Sequence, residues 1–233
     1  MVLFYRRTWR LCGLLLLGGC ASGPIPTITV YETPQSFVRL ETDPSLRQEA
    51  GHSHPAHIST AQMAAALRGI VVTEPLTRFP LYDDLSIPRR HPAFAEETVE
   101  FWAPLLSLGL SRATPEESVT FYHSRKLSPM KREVTSGGMY MDGEELHIIL
   151  SNYRSETGSS ANNGAADTQD DRLTPLRSLA PQKGTLHFEP SEFQVMPDNY
   201  GFAALLQWDK RELIIQVTRL PVKSTAPSPS APY

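Results

Sequence analysis

Cysteine is the scarcest chemistry-bearing residue in this 233-residue chain: there are two, Cys12 and Cys20, both in the first twenty positions. Nothing beyond them can form a disulfide or a cysteine-ligated metal centre, so the rest of the chain depends on packing alone. Long apolar runs are also missing. The longest, around Leu11–Leu17, falls well short of the roughly 20 residues that a permanent membrane helix needs. Positive charge is not in excess either, with 22 Lys and Arg against 25 Asp and Glu, which argues against nucleic acid as a partner. No glycine-rich phosphate loop, nucleophile elbow or complete catalytic triad can be found.

What is present begins at the amino end. Arg6, Arg7 and Arg10 precede the short apolar run, which closes on Leu17-Gly18-Gly19-Cys20. This order resembles the export signal and lipobox of bacterial lipoproteins. The resemblance implies cleavage between Gly19 and Cys20, lipidation of the Cys20 sulfur, and acyl chains that anchor the chain to a membrane. Each buried methylene adds about 0.8 kcal/mol to such an anchor. Ala21 follows where lipoproteins kept at the inner membrane typically carry Asp, so the resemblance further implies an outer-membrane protein with its body in the periplasm. Loss of residues 1–19 would remove three basic and no acidic side chains, leaving 19 against 25 and a formal charge of −6.

Composition divides the remainder. Residues 20–26 read as a lipidated tether, 27–220 as one domain, and the Pro- and Ser-rich 221–233 as a disordered tail. Residues 155–171, mostly Gly, Ser, Ala, Asn, Asp and Gln, read as a mobile loop inside the domain.

Within the domain the expected class is α+β: mostly antiparallel sheet in the C-terminal half, with two or three helices packed on one face. Residues 27–31 and 37–41 are β-rich runs on either side of Thr33-Pro34-Gln35-Ser36 and predict a pair of strands. Ser59 and Gln62 have capping-box spacing, Met63, Ala66, Leu67 and Ile70 recur at helical period, and Gly69 is placed to end that helix before a strand at 70–73. Residues 94–113 predict a buried helix broken or kinked at Pro104. Thr114-Pro115-Glu116-Glu117 reads as a further helix start. Asp142-Gly143 predicts a hairpin between 133–141 and 145–153, and Asp209-Lys210-Arg211 a second between 202–208 and 212–220.

Three imidazoles in His52-Ser53-His54-Pro55-Ala56-His57 form the one cluster with metal-ligand spacing. Neutral imidazole suits zinc or copper. The outline resembles the HxHxDH motif of metallo-β-lactamase-like hydrolases, with Ala56 standing in place of that family's catalytic Asp. No other cofactor is expected. Thr135-Ser136-Gly137-Gly138 reads as a bend or close contact inside the sheet rather than a nucleophile. Two functions are therefore expected. The first is a non-catalytic envelope lipoprotein whose partners are the membrane, through Cys20, and another envelope protein. The alternative is a periplasmic metal-binding protein or metal-dependent hydrolase using His52, His54 and His57.

Overall fold

The computed structural model describes residues 26–43, 46, 51–75, 88–158, 171–182, 184–196 and 211–221. The signal, Cys20, the tether up to residue 25, the predicted strand at 202–208 and nearly all of the tail lie outside the described residues. What is described is a sheet-dominated α+β domain with two α-helices. Seven strands form the main sheet: β1 (Pro26–Glu32), β2 (Ser36–Thr42), β5 (Glu117–Ser128), β6 (Lys131–Asp142), β7 (Glu145–Gly158), β10 (Glu212–Gln216) and β9 (Gln194–Val195), in that spatial order. A smaller sheet orders β4 (Arg90–Pro92), β3 (Ile70–Thr73) and β8 (Thr185–Phe188). Every described pairing is antiparallel.

Local chemistry accounts for most of these elements. Helix α1 (Thr60–Gly69) starts from the expected capping box: the Gln62 amide N–H donates to Ser59 Oγ at 3.2 Å, and Gln62 Oε1 accepts the Ser59 N–H at 3.1 Å. Gly69 ends the helix for a reason of space. A Cβ there would lie 2.3 Å from the Phe188 ring, and the chain continues in extended geometry straight into β3. The β6–β7 hairpin turns on Gly143, whose φ of 58° lies in the left-handed region that favours glycine, with Asp142 paired to Glu145.

Helix α2 (Glu96–Arg112) is a single helix, not two abutting ones. It runs unbroken through Pro104. Pro104 and Glu100 both lie on the exposed side, so water can take the carbonyl that proline leaves without an amide. Nor is the helix buried all round: Val99, Trp102, Ala103, Leu106 and Leu110 face the core, while Phe101 and Leu108 are exposed. Glu96 and Glu97 in its first turn and Arg112 in its last complement the helix dipole.

Thr114-Pro115-Glu116-Glu117 starts no helix. Glu117 donates its N–H to Thr114 O at 3.0 Å and its carboxylate accepts the Thr114 N–H at 2.9 Å, closing a turn into β5. Pairing of the following β-branched run with β2 draws the chain into the sheet at once. At the other end, β10 stops at Gln216 and residues Val217–Arg219 form a 3₁₀ turn, shorter than the strand expected for 212–220.

The two faces of the main sheet are closed differently. On one, Val38, Leu40, Val119, Phe121, Met139, Leu146, Ile148, Leu213 and Ile215 join the α1 and α2 side chains in one apolar cluster. The other face carries Phe37, Tyr122, Val134, Ser136 and Asn152. Residues 171–182 cross it as a strap. Ser136 Oγ donates to Pro175 O at 2.7 Å, and Asn152 Nδ2 donates to Arg177 O at 2.7 Å while its Oδ1 accepts the Leu179 N–H at 2.8 Å. Asp171, 4% exposed at its side chain, ties the strap down through Arg132 at 2.9 Å and the Tyr122 hydroxyl at 3.1 Å. Residues 155–158 continue β7 and Asp171 is anchored, so both ends of the stretch expected to be a mobile loop belong to the ordered domain.

Candidate functional site

Among the described residues, polar and aromatic groups converge in a cleft of about 690 Å³ where α2 begins beside the apolar-cluster face of β5, β6 and β7. Its apolar lining comes from Phe94 before α2, Trp102 on α2 and Phe121 on β5, the last two meeting edge to face at 5.5 Å. Its mouth is charged. Arg68 clasps Glu96, donating from Nε at 2.9 and 3.0 Å. Glu133 on β6 is shared by two arginines: Arg125, its direct cross-strand partner on β5, donates from Nη2 at 3.1 Å, and Arg154 on β7 donates from Nε at 3.3 Å.

A defect in β7 places the last of these. Between the pairs Ser136↔Asn152 and Val134↔Ser155, β6 advances two residues while β7 advances three. Tyr153 and Arg154 consequently stand together opposite Thr135, and both line the cleft. In a regular strand two successive side chains would point to opposite faces. Arg154 has φ 47°, left-handed backbone that a non-glycine residue seldom occupies, and its N–H donates to Thr135 Oγ1 at 3.3 Å.

His91 and His123, far apart in sequence, both reach this cleft. His123 Nδ1 lies 2.8 Å from Ser36 Oγ. Burial, with Arg125 adding to it, pushes its pKa down, so it is neutral at pH 7. His91 stacks near Tyr153, with ring centroids 6.1 Å apart. Burial raises the Tyr153 pKa, which keeps that phenol protonated.

The sequence-expected histidine cluster is divided. His52 and His54 are buried and His57 is exposed. His54 Nε2 accepts the Met141 N–H at 3.1 Å, and burial followed by the nearby His52 depresses its pKa. His52 Nε2 contacts Asp43 Oδ2 at 3.2 Å. Its ring stacks on Tyr140 at 4.1 Å, and Tyr140 stacks on His147 at 4.5 Å. One oxygen of Glu212 completes the pile, accepting from the Tyr140 hydroxyl at 3.0 Å and meeting His147 Nδ1 at 2.8 Å. Among the described residues no group of three His, Cys, Asp or Glu side chains is arranged to hold a metal ion. The two buried imidazoles dock the 51–57 segment on the end of β6, where the Ser53 N–H also donates to Met141 O at 2.8 Å.

Thr135-Ser136-Gly137-Gly138 lies inside β6, and its glycines mark close approaches: a Cβ on Gly137 would fall 2.0 Å from Ile149 O, and one on Gly138 2.8 Å from Leu176. Ser136 is buried and hydrogen-bonded to the strap. Sequence reasoning missed Arg125, Glu133, Tyr153 and Arg154 as a group. The Arg125–Glu133 pairing could have been found by extending the β5–β6 register; no residue in Ser151-Asn152-Tyr153-Arg154 signals the extra residue in β7.

Comparison with protein-family models, with curated proteins and with solved structures finds no match for this chain.

Proposed function

We propose that this chain is a lipid-anchored, non-catalytic binding protein of the cell envelope, held in the outer membrane through acyl chains on Cys20, with its α+β domain in the periplasm and its two helices laid over one face of the main sheet. The observation that carries the proposal is the Leu17-Gly18-Gly19-Cys20 segment behind three arginines and a short apolar run. Supporting it, the first described strand begins only six residues after Cys20, a span of at most about 20 Å, so an anchored body would stay close to the bilayer. The α2 cleft supplies a concave surface with an aromatic lining and a charged mouth, the form a binding site takes. Its carboxylates are engaged by arginines rather than set apart as an acid and a base. The partner is another component of the envelope that presents its recognised group to this cleft.

Intact-mass analysis of the protein from its native membrane tests the anchor. The expected mature chain starts at Cys20 and carries the mass of a diacylglyceryl group; an unmodified thiol, or a chain retaining residues 1–19, overturns it. Replacing Cys20 by Ser should move the protein from the membrane fraction to the soluble one. A photo-crosslinker at Thr98, on the cleft wall, should yield one recurrent adduct in whole cells, and its absence removes the binding role.

A further inference from the structure

We infer that the α2 cleft binds a small monocarboxylate bearing an aromatic group, with the carboxylate held by Arg125 and Arg154 and the ring seated against the aromatic lining. This rests on the binding-protein reading and specifies the chemistry of its ligand.

Charge at the cleft mouth sets the anion. Among the described residues that line the cleft, Arg68 and Glu96 form a neutral pair, whereas Arg125 and Arg154 share Glu133; Glu74, outside the lining, lies 3.6 Å from His91. This lining carries one more guanidinium than carboxylate, which matches a single carboxylate rather than a phosphate dianion. Both arginine side chains are about half exposed, at 57% and 48%, while the Glu133 side chain is only 14% exposed. Donors therefore face the opening, in the flat fork that carboxylates accept.

Backbone strain points to the same place. The bulge that brings Arg154 to the cleft keeps a non-glycine residue at φ 47°, left-handed backbone that such a residue seldom occupies. Neutralising Glu133 does not require it, because Arg125 already pairs with that carboxylate across the strands. What the bulge adds is a second guanidinium on this face, directly beside the Tyr153 ring. Trp102 and Phe121 form the deeper wall, and a volume of about 690 Å³ accommodates a phenylalanine-sized body.

Calorimetric titration of the full-length purified protein with N-acetyl-phenylalanine, against N-acetyl-phenylalaninamide as the uncharged control, tests this. Saturable binding of the acid, at least about tenfold tighter than the amide, is the expected result. Arg154→Gln should weaken the acid about tenfold and leave the amide unchanged. Arg125→Gln, in a regular stretch of β5, gives the same reading should the bulged variant fail to fold. Equal binding of acid and amide, or no saturable heat from either, overturns the ligand class. An adduct from the Thr98 crosslinker alongside that negative result leaves the binding-protein reading standing; loss of both removes the cleft as a site.

Discussion

The apolar-cluster face and the strap-covered face of the main sheet reach similar burial by different chemistry. Beneath α2 the contacts are aliphatic and aromatic, and only shape decides the fit. Beneath residues 171–182 the sheet presents Tyr122, Ser136 and Asn152, and the strap answers with main-chain carbonyls, an amide and one carboxylate. An apolar face tolerates any apolar cover of the right volume. A polar face accepts only a cover whose groups fall at the right places, because each buried donor or acceptor left unmatched costs about 1–3 kcal/mol. The strap is thus specified by hydrogen bonds where the helices are specified by volume.

The sharpest way to break this contrast is to remove volume from the apolar side. Leu106, 1% exposed under α2, should cost about 3 kcal/mol as Leu106→Ala, read as a lower urea midpoint with the whole domain still unfolding in one step.

Glu41 on the strap-side face gives the next largest effect and makes it depend on pH. Burial raises its pKa from 4.5 to about 7, outweighing the Thr120 hydrogen bond and the Arg39 charge that favour ionisation. A raised folded-state pKa contributes stability in full below the unfolded value and loses it as pH rises through about 7. Relative to Glu41→Gln, the native protein should lose about 3 kcal/mol between pH 4.5 and pH 8, measured by urea unfolding of both at each pH. Parallel curves would contradict the assignment. His54 works in the opposite sense, its depressed pKa withdrawing stability as pH falls below 6.5, and it is common to both proteins in that comparison.

The smallest change, and the most local, is expected for Asp171→Ala. Arg132 is 29% exposed and keeps some access to water, so the loss should be about 2 kcal/mol. Faster amide exchange should appear at Leu179, whose N–H the strap gives to Asn152, while α1 and α2 stay protected. Uniform loss of protection would mean that the two faces are not separable.

These elements also divide by how far sequence alone revealed them. The capping box at Ser59, the helix following it and the Gly143 hairpin rest on contacts within a few residues, and all three stand where the pattern placed them. The strap was illegible because its partners are distant: Asp171 meets Arg132, and Pro175 meets Ser136, separations that no periodicity reports. Leu173, Leu176 and Leu179 recur every third residue there, a hint lost among prolines and polar neighbours. The turn at Thr114 misled for the opposite reason, since local capping chemistry was present but the pairing of β5 with β2 took precedence. The cleft needed knowledge of where β7 slips, and nothing in its composition announces that slip.

That slip sets what this point of the sheet can present. With two residues of β7 set against Thr135 alone, removing either Tyr153 or Arg154 would restore regular pairing at this point and leave Ser155, now bonded to Gln182 under the strap, opposite Val134 as before. Loss of Tyr153 would leave Arg154 alone opposite Thr135, and loss of Arg154 would leave the ring without its cation, so the surplus residue is what lets the cleft hold both side chains at one rung of the ladder.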